Sequence, residues 1–186
     1  MSSEPRRSVV LDKMRAGKKA LSFKNNFACS RATEMPAMAG FDCIWLCREH
    51  VPTDFHTMEK QILAAKAHGA DCIVRVSKGC YSDYILPLEA DATGIMVPHV
   101  MSAAEAREIA HWTRFHPLGR RPVDGGNADG RYCRMPTKDY MEFANANRIV
   151  MIQIEDPEPL AELDEICQVP GIDLIFFGPG DYSHAL

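Results

Sequence analysis

At 186 residues, with 46% hydrophobic residues and a net charge of −4, the chain is long enough for one domain around one real core, and it lacks the basic stripe of a nucleic-acid binder. The pairs Arg6–Arg7 and Arg120–Arg121 are too short for such a stripe, and no apolar run reaches the roughly 18 residues of a membrane span. Seven cysteines without CxxC spacing, and an N-terminus without an apolar signal core, predict a reducing, cytoplasmic setting, with Cys43, Cys72 and Cys167 as packing residues.

In chain order, Ser8 to Lys18 reads as a short helix with Gly17 near its end, and residues 20–26 as the first strand. Small and apolar residues at helical spacing run from Ala28 to Gly40, followed by a second strand over 41–47 and the loop REHVPTD. Asp54 caps the next predicted helix, whose face is Phe55, Met58, Ile62 and Ala65, and Gly69 ends it. A third strand over 72–77 and a short helix over 82–92, disturbed by Pro87, precede a fourth strand over 93–100. Ser102 and Glu105 form a capping box for the helix over 102–115. Residues 116–135 read as loop, rich in Gly, Asp and Arg. A helix over 137–147 leads to a fifth strand over 149–155, a helix over 157–167 and a sixth strand over 174–181. Trp45 and Trp112 read as packing, and His56 and His68 as surface.

Six strands alternating with helices at about thirty residues per unit predict a parallel α/β sheet, either part of a (β/α)8 barrel or an open doubly wound sheet. No GxGxxG follows the first strand and there is no P-loop, which argues against dinucleotide and nucleoside-triphosphate sites.

Polar residues that interrupt or follow apolar strands gather at the edge where such folds bind ligands. They are Glu49 and His50 after strand two, Arg75 in strand three, His99 after strand four with Glu89 before it, Gln153 and Glu155 on strand five, and Asp181 after strand six. Each has a bland reading: a strand-end acid can cap a helix, Arg75 can pair with any acid, and a lone His50 is more often a surface histidine. His99 has no partner that the sequence identifies. As a set, Glu155 and Asp181 can share a hard divalent cation that chelates a 2-oxo acid. Arg75 would then stabilise an enolate oxygen, His50 would move the proton, and Glu89 would orient His50. Backbone N–H groups at Gly180 and Asp181 could hold an anion. Lys24 and Lys78 leave a Schiff-base aldolase as a second choice.

The stretches REH (48–50), VRV (74–76), LEADATGIMVPHV (88–100), QIEDPEPL (153–160) and FFGPGDYS (176–183) together resemble the HpcH/HpaI aldolase family, the metal-dependent 2-oxo-acid aldolases of the phosphoenolpyruvate/pyruvate barrel superfamily. The resemblance runs from about residue 18 onward. It implies a (β/α)8 barrel, with about six of eight units present in a single incomplete domain over 1–186. It also implies cleavage of 4-hydroxy-2-oxo acids to pyruvate and an aldehyde, with Mg²⁺, Mn²⁺ or Co²⁺ on Glu155 and Asp181. Arg75 would face the pyruvate keto oxygen, His50 would be the base with Glu89 its acidic partner, and Gln153, Gly180 and Asp181 would line the substrate pocket. Arg121 matches an arginine of the family's P-x-G-x-R pattern, although Pro122 follows it. Full-length relatives are expected to be homo-oligomers, hexamers among them. Cys47 departs from the family's usual Asp. A citrate-lyase-β-like or malyl-CoA-type lyase, and an inactive fragment that binds only metal or a partner chain, are the alternative readings.

Overall fold

The computed structural model describes residues 5–186. The elements run α1 (Val9–Arg15), β1 (Ser22–Asn25), α2 (Ser30–Met38), β2 (Cys43–Cys47), α3 (Phe55–Ala67), β3 (Asp71–Arg75), α4 (Tyr81–Glu89), β4 (Gly94–Val97), α5 (Ala103–Thr113), α6 (Thr137–Asn147) and β5 (Ile149–Ile154), then a 3-10 turn (Glu158–Glu162) into α7 (Leu163–Cys167), β6 (Leu174–Phe177) and α8 (Pro179–Ala185). All five strand pairings are parallel, and the order across the sheet is the order in the chain.

The period-2 geometry of strands divides these side chains between two cores. Ile44, Leu46, Val74, Ile95, Ile152 and Ile154 face outward, beneath Met58 and Ile62 of α3, Leu88 of α4 and Ile109 of α5. Met58 and Ile62 are fully buried, and each such side chain contributes about 1.5–3 kcal/mol. The alternate residues Cys43, Ile73, Met96 and Ile149 face inward, with Trp45, Met151, Leu174 and Phe176 packed against them. Burial on both faces of β2 to β5 explains why those strands read as nearly continuous apolar runs.

The sheet curls strongly. Trp45 on β2 and Phe176 on β6 meet edge to face, with ring centroids 5.4 Å apart. In a flat sheet, the four intervening strand steps of about 4.8 Å would hold them about 19 Å apart. Strands β2 and β6 therefore bend toward each other around an apolar cavity of about 190 Å³, lined by Val10, Cys43, Trp45, Ile73, Met151 and Phe176. Helix α1 closes its N-terminal end. There the buried Asp71 carboxylate accepts hydrogen bonds from Ser8 Oγ (2.7 Å) and from the Val10 N–H (2.9 Å), and pairs with Arg6 at 2.8 Å. The charged side chains of the inner face are thus left to the opposite edge, apart from Asp71 and from Lys24, whose ammonium lies 4.8 Å from the Trp45 ring centre.

Two expectations need correction, and a third gains detail. The sixth strand ends at Phe177, because Pro179 takes up the first turn of α8, where its missing N–H is harmless. Cys167 is exposed at the end of α7, while Cys43 and Cys72 are buried as expected. The 116–135 segment is irregular but anchored. Arg121 and Asp129 form a fully buried ion pair at 2.7 Å, and Tyr140 Oη donates to the same carboxylate oxygen at 2.7 Å. The Arg121 guanidinium also lies 4.8 Å from the Phe115 ring centre. Among the described residues, no helix is long and apolar enough to cross a membrane.

Candidate metal centre at the C-terminal edge of the sheet

At the C-terminal ends of β2 to β6 the inward-facing positions become polar. Cys47 and Arg75 are register partners on β2 and β3, so their side chains share one face. The Arg75 guanidinium donates to Cys47 Sγ at 3.2 and 3.4 Å, and its Nε lies 2.9 Å from Glu49 Oε2. Glu49, two residues past Cys47, keeps the same parity and extends over the mouth. On β5 the same alternation places Gln153 and Glu155 side by side, with the Gln153 amide donating to Glu155 Oε2. Glu155 is 1% exposed, and the Gln153 side-chain amide oxygen Oε1 is buried without a hydrogen-bond partner.

His99 joins the two halves. After Pro98 ends β4, His99 adopts a left-handed backbone (φ 49°), uncommon for a non-glycine residue. In that conformation its N–H donates to Glu155 Oε1 at 3.0 Å, and its carbonyl accepts from the Lys78 ammonium. Its ring Nδ1 lies 2.9 Å from Asp156 Oδ2. Its Nε2 lies 3.7 Å from both Glu49 Oε1 and Glu155 Oε1. One ligand atom from each of Glu49, His99 and Glu155 falls within 4.8 Å of the others. Atoms bound about 2.1 Å from one ion lie roughly 3–4 Å apart, so a small inward movement completes the site. Two carboxylates and an imidazole, beside an unpaired buried amide oxygen, are a donor set that fits a divalent cation.

The electrostatics agree. Burial pushes the Glu155 carboxyl above its ordinary value, against the pull of the His99 N–H and ring, with Glu49 and Asp181 adding to the rise. Burial alone would depress the His99 imidazole, but the Asp156 hydrogen bond and the charges of Glu155, Asp156 and Glu49 outweigh it and raise its pKa. Such uncompensated negative charge around a cleft is what a bound cation relieves.

Of the residues singled out in the sequence, Arg75, Gln153 and Glu155 converge here. His50 borders the cluster, its ring 3.4 Å from Glu49 and its side chain 63% exposed. Asp181 is in the first turn of α8, close enough for its charge to act on Glu155. Gly178, just before that helix, presses on Glu155: a Cβ there would come within 2.5 Å of Glu155 Oε2.

The expected dyad of Glu89 with His50 is not formed within this chain. Helix α4 leaves β3 at the mouth and descends, so its last residue, Glu89, lies at the N-terminal edge of the sheet within this chain. Its surroundings are Arg121, Asp129 and Asp124, and burial raises its carboxyl. At the mouth, Glu49 lies beside His50 and Asp156 holds the His99 ring. Sequence reasoning gave these two carboxylates no role, although Glu49 shares the parity of Cys47 and Asp156 directly follows Glu155. The Lys78 ammonium pairs with Glu105 at 2.8 Å as well as with the His99 carbonyl, a committed position rather than that of a free Schiff-base amine.

A curled six-stranded parallel half-barrel with a carboxylate–histidine cluster at the strand C-termini places the chain among α/β proteins with a candidate metal site at that edge. The family model described as HpcH/HpaI aldolase/citrate lyase matches residues 26–186, and the chain belongs to that family. It is 34% identical over 178 residues to a 4-hydroxy-2-oxo-heptane-1,7-dioate aldolase from Salmonella arizonae, covering 95% of this chain and 67% of the relative. It is 35% identical over 159 residues to a 2-dehydro-3,6-dideoxy-6-sulfogluconate aldolase from Pseudomonas putida, covering 84% of this chain and 60% of the relative. Among solved structures, an HpcH/HpaI aldolase from Desulfitobacterium hafniense superposes with a TM-score of 0.89 at 26% identity, over 97% of this chain and 69% of that one. The chain thus spans about two thirds of the length of its relatives.

Proposed function

We propose that this chain carries the site of a divalent-metal-dependent carbon–carbon lyase that cleaves 4-hydroxy-2-oxo acids into pyruvate and an aldehyde, on six of the eight units of a (β/α)8 barrel. The observation that carries the reading is the convergence of Glu49, His99 and Glu155 with the Arg75 guanidinium at one mouth, in a chain of this family. The aldolase names of the relatives cited favour this reading over a citrate-lyase-like one.

Glu155 and its neighbours would hold Mg²⁺, Mn²⁺ or Co²⁺, with Asp181 able to turn in from α8 as a further ligand. When bound, the metal supplies Lewis acidity to the keto and carboxylate oxygens of the 2-oxo acid. Arg75, held by Cys47 and Glu49, points its remaining N–H groups at the oxygen that gains charge as the C–C bond breaks. His50, exposed beside Glu49, exchanges the proton of the substrate hydroxyl. Gln153 offers its unpaired amide oxygen to the pocket, and the N–H groups of Gly180 and Asp181 offer donors to the substrate carboxylate.

The test is proton–deuterium exchange at the pyruvate methyl group in D₂O, followed by NMR with and without Mn²⁺. Metal-dependent exchange that is lost in Glu155→Gln and strongly reduced in His50→Ala supports the reading. A folded, Mn²⁺-binding protein that exchanges nothing refutes it and leaves a fragment that binds metal alone.

A further inference from the structure

We propose that Asp156 fixes the tautomer of His99 so that Nε2 becomes a nitrogen ligand of the metal, and that this ligand tilts the centre toward borderline first-row cations such as Co²⁺ over Mg²⁺. The inference rests on the metal-centre reading, and not on the lyase reaction.

The His99 backbone and ring are held at three points by three different partners. The N–H is bound by Glu155, the carbonyl by Lys78, and ring Nδ1 by Asp156. A left-handed residue persists only where its surroundings over-determine it, and these three contacts do so. Only Nε2 remains. With the proton on Nδ1, donated to Asp156, Nε2 is a lone pair facing two carboxylate oxygens at 3.7 Å, too far for a hydrogen bond to either. Three acceptors converging on one point repel one another unless a cation occupies it. A carboxylate hydrogen-bonded to the far nitrogen of an imidazole is also how metal-binding histidines are oriented and made more basic. Carboxylate-only sites suit Mg²⁺, whereas an added imidazole favours later transition metals.

Pulsed EPR of the Mn²⁺-loaded full chain, labelled with ¹⁵N-histidine, should show a nitrogen coupling that disappears in His99→Ala. By calorimetry with the metals alone, His99→Ala should lower the ratio of Co²⁺ to Mg²⁺ affinity by about tenfold or more. Asp156→Asn should weaken Co²⁺ binding by about 10–100-fold. Mn²⁺ bound without nitrogen coupling would mean that His99 stays protonated between the carboxylates; it overturns the inference and leaves the metal centre intact. An unchanged Co²⁺ to Mg²⁺ ratio in a folded His99→Ala does the same. Failure to bind Mn²⁺ at all overturns the metal-centre reading together with the inference.

Discussion

Gly178→Ala is a one-carbon probe of how tightly the end of β6 holds the centre. Gly178 has φ −97° and ψ 85°, outside the left-handed region, so the backbone alone would accept alanine. Space does not: the new Cβ would lie 2.5 Å from Glu155 Oε2, 2.7 Å from Glu155 Cβ and 3.0 Å from Gln153 Nε2. The carboxylate can swing away, but the Glu155 Cβ is fixed to the chain directly after β5, so β5 and β6 must separate by several tenths of an ångström. Overpacking of this kind costs about 1–3 kcal/mol. For a domain of this size, each kcal/mol is about 2–4 °C in Tm. Displacing Glu155 also removes the His99 N–H contact and one proposed metal ligand, so Mn²⁺ affinity should fall at least tenfold. Thermal unfolding by circular dichroism and Mn²⁺ calorimetry read the two effects. Gly180→Ala is the control, because its Cβ would meet nothing. If Gly178→Ala melts and binds Mn²⁺ as Gly180→Ala does, the steric reasoning is wrong.

Arg121→Ala leaves the buried Asp129 unpaired and should cost about 3–5 kcal/mol in urea unfolding, whereas replacing both partners with apolar residues of similar size should cost less. Ellman's reagent at pH 8 should modify Cys29, Cys80, Cys133 and Cys167 in the native protein, and Cys43, Cys47 and Cys72 only on unfolding. Cys29 should react first, since the Ala32 N–H holds its thiol below the ordinary value. Burial pushes the Cys43 thiol up to about 12 from 9.0, so its thiol form favours the folded state below pH 9, and that contribution is lost as pH rises toward 12. Alkaline unfolding midpoints should therefore shift upward in Cys43→Ala relative to its neutral-pH stability. Protons compete with metal at His99 and Glu155, both raised, so Mn²⁺ affinity should fall as pH drops through the acidic range, with His99→Ala less steep.

Arg75 and Glu155 were legible because a charge interrupts or ends an apolar strand, and such a charge must find a partner. His99 was visible for the same reason, but its partners Asp156, Glu155 and Glu49 arrive from β5 and β2, and register between strands is not written in any one segment. Glu49 could have been read from parity, since Cys47, Glu49 and Arg75 occupy one face. Glu89 lies away from this chain's own mouth because a helix that follows a strand's C-terminus runs back toward the other edge. Asp181 looked like a strand end because LIFFGPGD is apolar up to the acid, but Pro179 after Gly178 marks a helix start. Strands β2 to β5 were clear, since burial on both faces leaves short apolar runs punctuated by caps and glycines.

The sequential strand order also governs how the chain assembles. Every strand pairs with the one made just before it, so no strand must wait for a distant segment to be synthesised. Most closures are short: Ser22 meets Cys43, and Met151 meets Leu174. The longest is β4 to β5, where Gly94 meets Ile149, 149 − 94 = 55 positions on, against 43 − 22 = 21 for β1 to β2. Loop-closure entropy makes that step only about 0.9 kcal/mol dearer. The sheet can therefore grow vectorially from α1, with its longest closure across the 116–135 segment, which the Arg121–Asp129 pair anchors.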